Sequence, residues 1–258
     1  MKRITDIKEL REIQMRIMDS IHFFCIKNNL CYSLSSGTLL GAIRHKGYIP
    51  WDDDIDIYMP RKSYDVFVNT FGTQDGKYEL VNHRNRDKYT QTYAKVIDNT
   101  TIAYEKGFNA PDMGVWVDVF PIDGMPEGKY RRKILFLTKR FMSMLIQGGY
   151  KDESAKGIKH LFCRYFPIRM KHRYDLFEQI ITRWPESKDL CNLSSGGPLS
   201  DCSFPSTCFE SIVEVPFEDR TWFAMNGWDT YLRRTYGDYM KLPPIEQRTQ
   251  HNFEAYHK

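Results

Sequence analysis

Apolar residues recur at steps of three and four through Ile7, Leu10, Ile13, Ile17, Ile21 and Phe24, so the stretch from about Asp6 to Asn28 predicts an amphipathic helix. Asp6 stands as its N-cap with Glu9 three residues on, the spacing of a capping box. This helix reads as scaffold. A short apolar segment, CYSLSS, then meets Gly37 and the stretch TLLGAIRH, the pattern of a strand, a tight turn and a short helix. Gly47, Pro50 and the carboxylates of WDDD end that helix. DIDIY follows with strict alternation, as a strand with acids on one face would. Pro60 closes this strand, and Tyr64, Phe67, Val68 and Phe71 form one stripe of a helix from Ser63 to Phe71. YELVN, TYAKVI and VWVDVF read as three further strands. Strands and helices interleave up to about Asp123, which predicts an α/β (α+β) fold with a mixed sheet.

After GMPEGK the period turns helical, over Tyr130 to about Gln147, then Ala155 to Tyr165, then Arg169 to Arg183. The tail combines a loop rich in Ser, Gly, Pro and Cys from Cys191 to Cys208, a strand SIVEVPF, a helix GWDTYLRRTYG and a last segment PPIEQR. The expected organisation is a catalytic core over 1–128, a basic helical subdomain over 129–190, and a C-terminal segment over 191–258 that packs on the core. The chain shows no internal repeat.

A chain of 258 residues at 41% apolar and 27% charged buries a sizeable core, which excludes disorder as the main state. The longest apolar stretch, Ile134 to Ile146, is split by Lys139 and Arg140 and falls short of the roughly 18 to 20 residues that span a bilayer. The opening MKRITDIKELREIQ lacks the uninterrupted apolar run of a signal peptide, so a cytoplasmic protein is expected. Six cysteines without a CxxC pair suit reduced thiols, and the spacings of Cys191, Cys202 and Cys208 match no zinc site. Charge is unevenly spread. Lys129 to Arg173 holds 13 Lys and Arg against Asp152 and Glu153, a local +11, so the remainder carries 24 basic against 31 acidic groups, or −7. The basic part is expected to face an anionic partner, such as a membrane surface, a polyphosphate or an acidic glycan. It carries no base-reading module, so nucleic acid is not expected.

Candidate chemistry centres on the acidic strand. Residues two apart on a strand point the same way at about 6 to 7 Å, so Asp54 and Asp56 project side by side and can grip one hard cation. Asp52 has the parity to join them, whereas Asp53 should point away. Ser36 and Gly37 open a helix whose first N–H groups, at Gly37, Thr38 and Leu39, would cradle a phosphate at the positive end of the helix dipole. Asp118 stands alone among apolar neighbours in VWVDVF, where an unpaired charge is costly, so a cation or base is expected beside it. Arg44, His45 and Lys46 bring positive charge between turn and acids.

A glycine turn and helix, an acid-apolar-acid strand and a later lone acid together look like the nucleotidyltransferase fold. The stretch SSGTLLGAIRHKGYIPWDDDIDIYMPR resembles the LicD family of phosphorylcholine transferases, and TYAKVID, VWVDVFPIDG and YLRRTYGDYMKLPP look like further LicD segments, spread over Asp6 to Arg248. The resemblance implies a nucleotidyltransferase-like mixed sheet with an added helical subdomain. It also implies transfer of a phosphorylated alcohol, typically phosphocholine from a CDP-alcohol donor, to a sugar hydroxyl of a glycan or glycolipid acceptor, with Mg²⁺ (Mn²⁺ as an alternative). Ser36 and Gly37 would seat the diphosphate in the role of the family's glycine turn.

The residues suit such chemistry on their own terms, since phosphoryl transfer needs cations on the phosphates and a positioned acceptor oxygen. Asp54 and Asp56 would hold the metal, while Asp118 would complete its shell or accept the hydroxyl proton. Arg44 and Lys95 are candidates for phosphate contacts. His45 reads as a solvated histidine after a helix, and Tyr48 and Trp51 as core packing more than as a cage for a quaternary ammonium. The helix KYRRKILFLTKRFMSMLI sets a basic cluster beside a wide apolar face, which suits a peripheral position at the inner face of the cytoplasmic membrane as well as plain core packing. Two rivals stay open: a nucleotidyltransferase that moves a nucleoside monophosphate from NTP, and a catalytically silent glycan-binding protein.

Overall fold

The computed structural model of the chain describes residues 1–73, 75–86, 88–104, 112–149, 165–166, 168–195, 203–248 and 254–258. The first half runs β1 (Lys2–Ile4), α1 (Ile7–Lys27), β2 (Ser33–Leu34), α2 (Ser36–His45), β3 (Asp56–Pro60), α3 (Arg61–Thr70), β4 (Tyr78–Val81), β5 (Ala94–Asp98), β6 (Thr101–Tyr104) and β7 (Trp116–Gly124). The second half runs α4 (Lys129–Gly149), α5 (Met170–Ile181), β8 (Asp189–Cys191), β9 (Phe204–Pro205), β10 (Ile212–Phe217), β11 (Arg220–Met225), α6 (Trp228–Tyr236) and β12 (Glu254–His257). The expected helix from Ala155 to Tyr165 lies, up to position 164, outside the described residues, as do positions 196–202 of the cysteine-bearing loop.

The central sheet has the order β2-β3-β7-β5-β4, with β8 joining the far end of β7 and β9 joining β8. β3 and β7 are parallel while the other pairs are antiparallel, so the mixed sheet of an α+β fold is present. α1 packs on β5 and β7, and α3 on β3 and β7. Every residue of β7 is buried, as a strand enclosed on both faces requires. β7 outruns the VWVDVF segment, continuing through Pro121 to Gly124. Asp118 gives its N–H to Ile55, so even-numbered residues of this strand donate toward β3 and Pro121 turns the other way. On that side β5 has ended at Val119 and β8 begins at Asp123, so the missing proline N–H costs no ladder bond.

Two further sheets complete the fold, and of their strands the hydrophobic pattern showed only SIVEVPF, which is β10. β1, β12 and β6 tie the first residues to the last, and β10 and β11 form a hairpin beside β2. The Asp6 carboxylate caps α1 by accepting the Lys8 N–H at 2.9 Å. Glu9 does not complete a capping box there; its carboxylate takes His257 Nε2 of β12 at 2.9 Å instead.

α4 and α5 bury a second apolar cluster, with Leu135, Phe136, Met142, Leu145 and Ile146 against Tyr174, Phe177 and Ile181. Cys191 lies in this cluster and Cys208 in the main core. Arg132 ties α4 to the sheet through the Pro126 carbonyl, Ser203 Oγ and the Asp189 carboxylate of β8. At the C-terminal ends of β3 and β7, Arg61 holds the buried Asp123 with two bonds of 2.7 and 2.6 Å. Burial raises the Asp123 carboxyl above its usual range, and the Arg61 guanidinium opposes that rise. Removing one partner of such a pair strands the other's charge. Arg61→Ala is therefore expected to cost about 3 to 5 kcal/mol in urea unfolding, with Arg61→Ala/Asp123→Ala recovering part of it.

Candidate active site

The site forms on one face of three adjacent strands. Asp56 of β3 lies in register with Asp118 of β7, and Asp118 with Lys95 of β5. Paired residues on a pleated sheet share a face, so the three side chains form one row across it. Lys95 is buried and its ammonium is bonded to the Asp118 carboxylate, lying 4.2 Å from the centre of the Trp116 ring. The cation expected beside Asp118 is thus Lys95, which holds a carboxylate as well as being a candidate for phosphate. Asp54 precedes β3, since regular pairing starts at Asp56 and not at Asp54. Its charge still reaches Asp56. Burial, then repulsion from Asp54, Asp118 and Asp52, push the Asp56 carboxyl well above its usual range against the pull of Lys95.

Local folding explains how the acids are brought there. The turn between β2 and α2 clasps the Asp56 backbone from both sides, for Ser35 N–H donates to its carbonyl at 3.0 Å and Thr38 Oγ1 accepts its N–H at 2.9 Å. Thr38, a candidate for substrate, is buried and spends its hydroxyl on this clasp. Gly37 lies under the Asp52 carboxylate, for a Cβ there would stand 2.6 Å from Asp52 Oδ2, so a side chain at this position would have to displace that acid. Ser36 adopts φ +48°, a left-handed conformation that costs a non-glycine residue roughly 1 to 2 kcal/mol. Its N–H donates to Tyr231 Oη at 3.2 Å, and its side chain shares a hydrogen bond with Tyr58. The Leu39 N–H is spent inside the helix on Ser35 O.

α1 is more than scaffold. Arg11 Nη2 donates to the carbonyls of Ile49, Pro50 and Asp52 at 3.1, 3.1 and 2.7 Å, and Gln14 Nε2 donates to Asp53 O at 2.8 Å. The Tyr48 hydroxyl donates to Gln14 Oε1 at 3.0 Å, which buries Tyr48 in the core and removes it from any ligand cage. These bonds fix the turn that delivers Asp52 and Asp54.

Positive charge lies at the other side. Arg44 gives one N–H to the Tyr239 carbonyl at 2.7 Å and another to His45 Nε2 at 2.9 Å, so that imidazole nitrogen acts as an acceptor. Burial, and then Arg44, lower the His45 pKa, which keeps the ring neutral. The Arg248 guanidinium covers the Trp51 ring at 4.6 Å and lies near enough to Arg44 to disfavour its charge. Trp51 therefore stacks a protein cation. Tyr236 stands between the two sides, near Arg44 and near enough to the acids that burial of its hydroxyl, then Tyr231, Asp56, Asp52 and Asp54, raise that hydroxyl above its usual range and keep it neutral. Arg233 and Arg234 spend their donors on Asp229 and on Ser203 O, away from the acids.

Tyr236, Arg11 and Gln14 were missed from sequence. In the tail segment YLRRTYGDYM it is the tyrosines Tyr231 and Tyr236 that approach the acids, and not the arginines Arg233 and Arg234. Among the described residues no three His, Cys, Asp or Glu side chains close a ready-made metal cage. Mg²⁺ asks for less. It is held by one or two carboxylates and completes its shell with water and substrate phosphate, so Asp54 and Asp56 beside Asp118, an all-oxygen set whose charges repel, suit a hard divalent cation.

The sequence profile of the LicD/FKTN/FKRP nucleotidyltransferase domain matches residues 29–144, the span that carries the glycine turn, β3, β5 and β7. The lipopolysaccharide cholinephosphotransferase LicD of Haemophilus influenzae is 33% identical, over 99% of each chain. Uncharacterised proteins of Rickettsia typhi and Rickettsia prowazekii are each 51% identical over 55 residues, 21% of this chain and 17% and 20% of theirs.

A raised carboxyl destabilises the fold once it ionises: the contribution is present below the carboxyl's unfolded pKa and is lost as pH rises through the folded one. Asp56→Asn is therefore expected to raise the melting temperature of the metal-free protein by a few degrees at about pH 8 and to leave it nearly unchanged at about pH 3, below the unfolded aspartate range, by calorimetry.

Proposed function

The chain belongs to the LicD family, and from that premise we propose that it is a Mg²⁺-dependent phosphotransferase that moves phosphocholine from CDP-choline onto a sugar hydroxyl of a lipopolysaccharide-type glycan. The observation that carries the proposal is the row of Asp56, Asp118 and Lys95 with Asp54 beside it. Full-length identity to a cholinephosphotransferase supports the alcohol and the class of acceptor. Asp54 and Asp56 would hold Mg²⁺, which when bound neutralises charge on the donor phosphates. Arg44, which like the acids lies near Tyr236, and Arg248 beside it would bind the donor diphosphate, with the Trp51 face and His45 setting their planes. The acceptor oxygen attacks the phosphorus that bears choline, the new O–P bond forms as the bond to CMP breaks, and the hydroxyl proton passes to Asp118. Lys95 fixes that carboxylate in place. No described helix is long and apolar enough to cross a membrane, and a peripheral position at the inner face of the cytoplasmic membrane fits an acceptor carried by lipid.

The nucleotidyltransferase alternative uses the same carboxylates and differs in its product. Incubation with CDP-choline and Mg²⁺ is expected to release CMP, slowly by hydrolysis alone and faster with a phosphate-free glycan acceptor. Asp54→Asn or Asp118→Asn is expected to lower turnover by on the order of a hundredfold or more, and EDTA to abolish it. Pyrophosphate release from CTP or ATP, with CDP-choline left intact, would establish the alternative.

A further inference from the structure

The outer face of α4 was left without a role by the catalytic site. Tyr130, Ile134, Leu137 and Phe141 are 81%, 64%, 51% and 43% exposed. At about 100° per residue their spacing of four, three and four places all of them within an arc of roughly 60°, a continuous apolar row about 16 Å long. Single exposed apolar residues are ordinary, whereas a contiguous row marks an interaction surface. The same wheel sets Lys129, Lys133 and Arg140 along one edge and Arg131 along the other, all exposed. The helix contains no acidic residue. Arg132 and Lys139 fall on the opposite side, where Arg132 anchors the sheet and Lys139 is buried, so the helix separates structural cations from displayed ones.

We propose that α4 seats the protein on an anionic lipid bilayer, with the apolar row entering the headgroup boundary and the flanking cations at the level of the phosphates. An apolar stripe edged by cations is the pattern of an interfacial helix, and long basic side chains can keep their charge in water while their stems follow the apolar surface. The absence of acids on α4 makes the face complementary to negative charge. This deepens the proposed function and rests on its lipid-borne acceptor.

Sedimentation of the full chain with phosphatidylglycerol vesicles tests it, with phosphatidylcholine vesicles as the neutral control. The chain is expected to pellet with phosphatidylglycerol at low salt, less at high salt, and weakly with the control. Arg131→Gln with Lys133→Gln is expected to weaken partition on the order of thirtyfold, about fivefold for each cation removed from a charged surface. Ile134→Asp with Leu137→Asp should abolish it while CMP release from CDP-choline in vesicle-free buffer stays unchanged. Ile134→Ser with Leu137→Ser gives a milder second reading, and circular dichroism verifies the fold of each variant. A wild-type chain that stays in solution at low salt, or apolar-row variants that pellet as well as wild type, would overturn the inference. Loss of CMP release by the wild-type chain would instead overturn the donor reading and leave the vesicle result standing.

Discussion

Mutual repulsion among carboxylates is the constraint to which the surrounding structure answers. Asp52, Asp54 and Asp118 lie near Asp56 at the start of a buried parallel pair, where burial and then their charges disfavour its ionised form. Left to themselves these side chains would separate. The chain opposes that by holding backbone: Ser35 and Thr38 clasp Asp56, Arg11 and Gln14 take the carbonyls from Ile49 to Asp53, and Lys95 neutralises Asp118 from below. Every one of these partners lies far from the acids in sequence or on another element. The cost is consistent with a site that trades stability for a strong claim on a cation, because an ion between the acids turns repulsion into attraction.

The same logic accounts for what could be read from sequence. Alternation in DIDIY and VWVDVF placed Asp56 and Asp118 on strands, since a side-chain period of two is a local property, while Asp54 falls just before β3. The parallel register that sets Asp56 against Asp118 joins strands some sixty residues apart, and no local pattern encodes it. Arg11 and Gln14 escaped for a related reason. They occupy the helix between its apolar positions, and a helix wheel shows only that they are polar, whereas their worth lies in carbonyls about forty residues away. β1, β6 and β12 are strands of three or four residues, too short for their alternation to stand out. Gly37 was legible as a turn residue, but the approach of Asp52 to it was not, because that contact depends on how the turn after α2 folds back.

α4 shows the reverse case, where a local rule held more information than composition did. Counting 13 cations between Lys129 and Arg173 suggests one undivided basic region. Helix phase divides it. Positions 132 and 139 turn toward the sheet and the α5 packing surface, and positions 129, 131, 133 and 140 do not, so the cations of one helix serve two ends.

β7 joins these two parts of the molecule mechanically. Asp118 lies near its start, and six residues later Gly124 fits against the Trp184 carbonyl so closely that a Cβ would stand 1.7 Å away. α4 begins five residues beyond and is bolted back by Arg132 to Asp189 on β8, which itself pairs with the end of β7. Arg61 and Asp123 lock the adjoining end of β3 to the same strand. A strand advances about 3.3 Å per residue, so the catalytic row stands roughly 20 Å along β7 from the point where α4 is anchored. β7 is buried along its whole length and paired with β3 from Asp118 to Ile122, so the sheet fixes its course. The offset between the acids and the anchored helix is therefore set by the sheet, through the pairing of β7 with β3 at the acids and with β8 at its far end.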